Sequence, residues 1–79
     1  MYYVYILSSI DFDQTYVGVT DDLKSRLDAH NSGKSIHTEK FKPWQITNYI
    51  AFADKKRAMS FEKYLKTGSG RAFANKHLR

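Results

Sequence analysis

The sequence predicts a small α/β (α+β) fold, a three-stranded antiparallel sheet flanked by helices in the order ββαβαα. Runs rich in β-branched and aromatic residues, typical of strands, occur at the start of the chain and again in its middle. Apolar residues at helical spacing follow each of these regions. With 79 residues, the chain has room for one domain with a thin core.

Two strands open the chain. Residues 2–7 are continuously apolar, which is typical of a strand covered on both faces. The polar residues 8–15 predict a hairpin connection, and residues 16–19 predict the second strand. Gly18 is unusual inside a strand, and it indicates a bulge or a close approach to the backbone.

The first helix is predicted to begin after Thr20, which can cap it, and to run to about Asn31. Gly33 then fits a left-handed stop. The basic loop 34–42 ends at Pro43, which is compatible with neither a helix nor a central strand.

The third strand is predicted at residues 44–52, where the apolar positions share one parity and are therefore expected on one face. These positions are Trp44, Ile46, Ile50 and Phe52. Asp54 is expected to cap a second helix that ends near Lys66, and Ser69 to cap a short last helix over residues 70–78.

Charge divides the chain unevenly. There are 13 Lys and Arg against 8 Asp and Glu, a net charge of +5. From Lys55 onward there are eight basic residues and one acid, a net charge of +7. A basic face attracts nucleic acid through phosphate contacts and counterion release, although a solvated, solubilising surface is the ordinary alternative.

Neither an oxidising compartment nor a membrane is indicated. The chain has no cysteine, which excludes disulfides and thiolate metal sites. Its longest apolar run, residues 2–7, is far too short to span a bilayer. We therefore expect a cytoplasmic protein without a membrane partner.

Polar residues interrupt the apolar faces of the helices. In the first helix one face is formed by Leu23, Arg26, Leu27 and His30. In the second helix the same spacing relates Ala58, Phe61, Glu62 and Leu65. In the last helix the inward face is expected to be Phe73, Ala74, His77 and Leu78, with Asn75 at its border. Charged groups are seldom buried unless they are paired or used, so this pattern predicts a polar cleft between sheet and helices.

Each of these polar groups also has an ordinary structural explanation. An arginine such as Arg26 can extend along a core edge with its head in water. His30 can be a hydrogen-bonded structural residue, and Glu62 can simply pair with Arg26. Asn75, on local grounds, is most often a surface or capping group.

The set fits phosphodiester hydrolysis, which needs an activated water and stabilisation of negative charge. Arg26 offers a guanidinium for phosphate oxygens, and Glu62 offers a carboxylate to a hard cation such as Mg²⁺. Tyr5 and Tyr16 are candidates to orient or deprotonate water, provided that a cation lowers the tyrosine pKa. His30 is the alternative base or a proton shuttle. The glycines match no phosphate-binding loop, and the histidines have no zinc-ligand spacing.

The motifs resemble the GIY-YIG endonuclease superfamily in its small stand-alone bacterial form, which is similar to the nuclease domain found in a larger excinuclease. Residues 3–5 (Tyr-Val-Tyr) resemble the first motif, with tyrosine in place of its glycine, and residues 16–18 (Tyr-Val-Gly) the second. Residues 22–33 resemble the helix that carries the arginine and histidine of the family, and residues 62–71 the signature of its second helix. The resemblance covers essentially residues 1–79 as one nuclease domain.

This resemblance implies a role for each polar residue. Tyr5 would be the general base with Tyr16 as its partner, and Arg26 would hold the phosphate. Glu62 would bind a single divalent ion, Mg²⁺ or Mn²⁺, and His30 would assist proton transfer. Asn75 lies where several members carry a functional asparagine.

The expected activity is cleavage of DNA, with repair or recombination as the candidate process and a monomer or weak homodimer as the expected state. The alternatives are a basic nucleic-acid-binding module without catalysis and a structural or protein-interaction domain. The residues expected to contact nucleic acid are Lys34, Lys40, Lys42, Lys55, Lys56, Arg57, Lys66 and Arg71.

The register of the first hairpin decides whether this site can exist. If Leu7 lies opposite Tyr16, then Tyr5 lies opposite Gly18 and the two tyrosines share a face, whereas a slip of one residue separates them. In the favourable register, Gly18 is expected to leave room for the backbone of a substrate.

Overall fold

The computed structural model describes residues 1–78, and within this range the elements follow the predicted ββαβαα order. They are β1 (Tyr2–Ser9), β2 (Thr15–Thr20), α1 (Leu23–Asn31), β3 (Trp44–Phe52), α2 (Lys55–Leu65) and α3 (Gly68–His77). A short 3₁₀ turn, Glu39–Phe41, lies in the loop before β3. None of the helices in residues 1–78 is long and apolar enough to cross a membrane.

The sheet has the order β2-β1-β3, and both pairings are antiparallel, which confirms the predicted fold class. β1 is central, so its middle residues, Val4 to Leu7, are buried from both sides. In the hairpin Leu7 pairs with Tyr16 and Tyr5 pairs with Gly18. Tyr5 and Tyr16 therefore share a face, as the site requires.

The two faces of the sheet carry separate cores. On one face Tyr5 and Leu7 pack with Trp44 under the leucines of α1. On the other face Val4 and Ile6 pack with buried residues of α2 and α3. Of the residues from which a polar cleft was predicted, Arg26 and His30 lie on α1 over the first face, whereas Glu62 lies on α2 over the second.

A β-bulge at Thr47 divides β3 between these two cores. The pairing of β3 with β1 shifts there by one residue, so side chains before and after the bulge lie on opposite faces despite their common parity. Before the bulge, Trp44 and Ile46 face α1. After it, Ile50 and Phe52 face α2 and α3. The prediction of one shared face for this strand was therefore wrong.

The first helix is capped by Asp22, whose side chain accepts the backbone N–H of Ser25 at 3.1 Å. Thr20, the expected cap, instead accepts the N–H of Asp22 at 3.0 Å and so shapes the turn before the helix. After the helix Gly33 has a φ of 80°, which confirms the left-handed stop.

The other helix starts are set by Asp54 and Thr67. The Asp54 side chain accepts the N–H of Lys56, as expected for a cap. α3 begins two residues earlier than predicted, because Thr67 rather than Ser69 supplies its cap, accepting the N–H of Gly70 at 3.1 Å.

The buried face of α3 differs from the predicted one. Its inward residues are Gly70, Ala74 and Leu78, spaced one turn apart. His77 is exposed, and Phe73 is 37% exposed, with its ring centroid 6.4 Å from that of Phe61. At position 70, α3 packs so closely on the end of α2 that only a residue without a side chain fits.

We expect Gly70→Ala to lower the free energy of unfolding by about 1–3 kcal/mol, the usual cost of overpacking. A Cβ there would lie 1.8 Å from the carbonyl oxygen of Tyr64, which belongs to the backbone. Urea unfolding measures the loss. Gly68→Ala is the matched control, since its Cβ would meet nothing within 4 Å. Equal stability of the two variants would contradict the packing described for α3.

Candidate active site

The centre of the site is the Tyr5 phenol, which is buried beneath α1 with 1% of the residue exposed. The ring lies across the backbone of Gly18 on β2, and a Cβ at position 18 would lie 2.3 Å from the Tyr5 hydroxyl oxygen. Gly18 therefore makes room for the catalytic candidate itself. The expectation that it leaves space for the backbone of a substrate was wrong.

His30 lies directly above this phenol and is completely buried, with 0% of the residue exposed. Its Nε2 atom is 3.1 Å from the hydroxyl oxygen of Tyr5, and its Nδ1 atom is 2.6 Å from Oγ1 of Thr38. Both ring nitrogens are thus hydrogen-bonded. Burial lowers the pKa of His30 below its ordinary value of 6.5, and the positive charge of Arg26 adds to this effect.

The pKa of Tyr5 is raised above its ordinary value of 10.0, mainly because burial disfavours the phenolate. Hydrogen bonding and charge from Arg26 act in the opposite direction, while the charges of Tyr16 and Glu62 raise the pKa further. The effect of burial outweighs that of Arg26, so the pKa of Tyr5 stays above its ordinary value despite the nearby cation. At neutral pH Tyr5 holds its proton and His30 is free to accept one.

Tyr16 completes a cluster of three rings. Its ring centroid is 5.0 Å from that of His30 and 6.4 Å from that of Tyr5. The residue is half-buried and stands on β2, an edge strand of the sheet. The cluster therefore extends from the core under α1 to this edge.

Glu62 lies on α2 between buried Ala58 and Leu65, with 19% of its side chain exposed. It forms an ion pair with Lys66, one turn further along the helix. The ion pair with Arg26 that the sequence suggested is absent from residues 1–78. Glu62 is nonetheless close enough to influence the Tyr5 hydroxyl electrostatically.

The cationic residues predicted to bind nucleic acid are all exposed, and two groups of them flank β2. Lys66 and Arg71 line a groove of about 430 Å³ that includes Tyr16. Lys55 lines a second groove of about 360 Å³, which includes Arg26 and the end of β2. The chain thus places basic side chains on both sides of the ring cluster.

The remaining predicted residues lie elsewhere on the surface. Lys56 and Arg57 border a shallow depression beside Phe61, and Lys34 borders one that also contains Asp22. Lys40 and Lys42 are exposed in and after the 3₁₀ turn. Asn75 is exposed on α3, next to buried Ala74.

Thr38 is the residue of this site that sequence reasoning missed. It lies in the loop before β3 and is 1% exposed. The Trp44 indole N–H donates to its carbonyl oxygen at 2.8 Å. Asn31 in turn holds Trp44, donating to its carbonyl oxygen at 3.0 Å and accepting its backbone N–H at 2.5 Å. A threonine in an irregular loop has no periodic pattern that could have signalled this role.

Comparison with known proteins gives the class to which this fold and site belong. Residues 1–76 match the model of the GIY-YIG catalytic domain, and the chain belongs to this family of nuclease domains. Relatives described as UPF0213 proteins include one from Lacticaseibacillus paracasei, 41% identical over 82% of this chain and 73% of the relative. Another, from Bacillus pumilus, is 39% identical over 84% of this chain and 67% of the relative.

A solved structure supports the same assignment. The solution NMR structure of the UPF0213 protein BH0048 from Bacillus halodurans is similar to this chain with a TM-score of 0.57 and 31% sequence identity. The similarity covers 95% of this chain and 82% of that protein. The resemblance noted in the sequence motifs is thus confirmed.

We expect the free energy of unfolding to fall as the pH is lowered below about 6.5, because the folded state holds His30 neutral while the unfolded state binds a proton. The contribution is fully present above pH 6.5 and is lost as the pH falls toward the lowered pKa, with a slope of at most about 1.4 kcal/mol per pH unit. Urea unfolding from pH 7.5 to 5 measures it.

His30→Gln removes this titratable group, so its free energy of unfolding should change less with pH over the same range. His37→Gln is the control, since it alters an exposed histidine and leaves His30 in place. If His37→Gln flattens the pH profile of the unfolding free energy as much as His30→Gln does, the buried imidazole is not the source of the pH dependence.

Proposed function

We propose that this protein is a divalent-metal-dependent endonuclease that hydrolyses phosphodiester bonds in DNA. The observation that carries the proposal is the buried Tyr5 phenol, hydrogen-bonded to a neutral His30 with Arg26 acting on the same oxygen. A structural role alone does not call for two buried polar rings beside a half-buried arginine in a nuclease-family domain. The proposal includes a cytoplasmic location, a monomer or weak homodimer, and a task in repair or recombination.

The proton path follows from the two shifted pKa values. Tyr5 is protonated at neutral pH, so it can act as a base only if its own proton leaves as another arrives. His30 Nε2, 3.1 Å away, is the acceptor for that proton. As a water oxygen bonds to phosphorus, the water proton passes to the Tyr5 oxygen and the Tyr5 proton to His30. The P–O bond to the leaving oxygen breaks, and that oxygen takes a proton from solvent.

Arg26 and Tyr16 complete the surroundings of this step. The guanidinium of Arg26 suits the phosphoryl oxygens, on which negative charge increases in the transition state. Arg26 also borders the groove at the end of β2, so it can contact a phosphate from the protein surface. The phenol of Tyr16, half-buried at the edge strand, is suited to orient the attacking water.

Glu62 is the residue that would hold a divalent ion. Within residues 1–78 no three His, Asp or Glu side chains are grouped into a metal site, and Glu62 offers one carboxylate. Mg²⁺ is often bound by only one or two carboxylates together with water and substrate phosphates, which this arrangement fits. Lys66 must then release Glu62. Such an ion supplies charge neutralisation for the phosphoryl group and a lower pKa for bound water.

The two grooves along β2 suggest the path of the DNA backbone. Lys66 and Arg71 on one side and Lys55 on the other flank the ring cluster. The first turn of α2 contains Lys55, Lys56 and Arg57 and no acid, although cations are unfavourable at the positive end of a helix. External phosphates would remove this repulsion.

We expect the protein to nick supercoiled or branched DNA in the presence of Mg²⁺ or Mn²⁺. Tyr5→Phe should lower the rate by about 10²- to 10⁴-fold, the usual contribution of a general base, and Glu62→Gln should reduce it to background. The measurement is a single-turnover nicking assay on plasmid and branched substrates.

Tyr64→Phe and Glu39→Gln are the matched controls, because both alter exposed residues away from the ring cluster and should cut like the wild type. If the wild type cuts no substrate faster than Glu62→Gln, the nuclease proposal fails. Binding that weakens with salt but ignores metal would then favour a non-catalytic nucleic-acid-binding module.

We expect Arg71→Gln to weaken DNA binding and to reduce the slope of log K against log salt by about 0.9, the value of one phosphate contact on duplex DNA. Arg71 lines the groove that contains Tyr16, whereas Lys24 lies on the outer side of α1. Titrations at several salt concentrations measure the slope, with Lys24→Gln as the control of equal charge change. Equal slopes for the two variants would contradict the proposed DNA path.

A further inference from the structure

We propose that Thr38 is a positioning residue that fixes His30 in the tautomer with its proton on Nδ1, so that Nε2 is presented to Tyr5 as a proton acceptor. Thr38 lies in the loop before β3, and the mechanism above assigns it no part. Its catalytic significance rests on the proposed nuclease function, but the tautomer itself can be measured without any substrate.

The hydrogen-bond requirements of Tyr5 point to this tautomer. The Tyr5 phenol is buried and carries one proton, and Arg26, the cation that acts on it, offers donors only. The phenol proton then needs an acceptor of its own, since buried polar groups are almost always satisfied. His30 Nε2, at 3.1 Å, provides it if that nitrogen carries a lone pair.

The hydrogen bond on the other side of the imidazole, at Nδ1, is consistent with the same tautomer. With Nε2 unprotonated, Nδ1 carries the proton of the neutral ring and must donate it. Thr38 Oγ1 lies 2.6 Å away, and its own hydroxyl proton is directed toward the carbonyl oxygen of Ser35 at 3.4 Å.

The opposite tautomer would leave the site unproductive. Thr38 would donate to Nδ1, and the Nε2 proton would point at the Tyr5 oxygen. The buried phenol proton would lose its acceptor, and His30 would have no free lone pair toward Tyr5. The position of the Thr38 hydroxyl therefore decides whether the His30 ring can accept the Tyr5 proton.

The fold holds Thr38 firmly enough for this purpose. Its carbonyl oxygen accepts the Trp44 indole N–H at 2.8 Å and the backbone N–H of Phe41 at 3.2 Å. Its own N–H donates to Ser35 at 3.2 Å. When His30 takes the proton, Nδ1 keeps its bond to Thr38 and Nε2 becomes a donor to Tyr5, so no side chain has to move.

The test is long-range ¹H–¹⁵N NMR of the histidine rings in the intact protein, with His30→Gln used to assign the His30 signals. We expect the Nδ1–H tautomer in the wild type and in Thr38→Ser, which keeps the hydroxyl. In Thr38→Val, which removes the hydroxyl at similar volume, the Nε2–H form should gain population, because Nδ1–H loses its acceptor. Thr47→Val is the control, because it removes a hydroxyl that donates to the backbone carbonyl of Ile6 and not to His30.

In the nicking assay Thr38→Val should cut at least about tenfold more slowly, as expected when an imidazole loses the group that sets its tautomer, while Thr38→Ser should stay near the wild-type rate. An Nε2–H tautomer in the wild type, or an unchanged Nδ1–H tautomer in Thr38→Val, would overturn the proposal. If Thr38→Val does not fold, Thr38→Ala takes its place, and if neither folds the wild-type spectrum decides. A wild type that cuts no DNA defeats the proposed function but leaves this spectroscopic result standing.

Discussion

The hydrogen bond between the Tyr5 phenol and the His30 imidazole is the interaction on which the rest of the site depends. Both residues are fully buried, so each polar atom must find a partner inside a very small protein. This requirement fixes how α1 lies over the sheet, since His30 Nε2 must stand 3.1 Å from the phenol. It also requires glycine at position 18, because the phenol occupies the space of a side chain there.

The two faces of the sheet have different tasks. On the face covered by α2 and α3, the fully buried core consists of small and aliphatic groups such as Val4, Ile6 and Ala74. The face under α1 combines Leu7 and Trp44 with the polar rings. Placing the buried polar rings on one face only allows a short chain to keep an apolar core on the other.

Much of this could be predicted from the sequence, and for definite reasons. Helical spacing placed Arg26, His30 and Glu62 beside apolar neighbours, and the structure finds His30 buried and the other two half-buried. Whether Tyr5 and Tyr16 share a face could be stated as a condition on the hairpin register, and the observed pairing of Tyr5 with Gly18 satisfies that condition.

Other features depend on contacts between distant parts of the chain. The bulge in β3 has no local sequence signal, so strand parity misplaced half of that strand. Thr38 reaches His30 only because Trp44 and Asn31 hold its loop. The close approach of Gly70 to the backbone of α2 is another such contact, and the N–H of this glycine bonds to Thr67, the residue that caps α3 in place of Ser69.

The bulge at Thr47 also makes one strand serve two interiors. A regular nine-residue strand could offer its apolar side chains to only one side of the sheet, and the opposite side would need a fourth strand or a longer helix to close it. Because of one extra residue, the first half of β3 packs into the core that contains the tyrosine and histidine, and the second half packs into the core under α2 and α3. The length of that strand is therefore set jointly by both interiors, and neither half can be lengthened or shortened independently of the other.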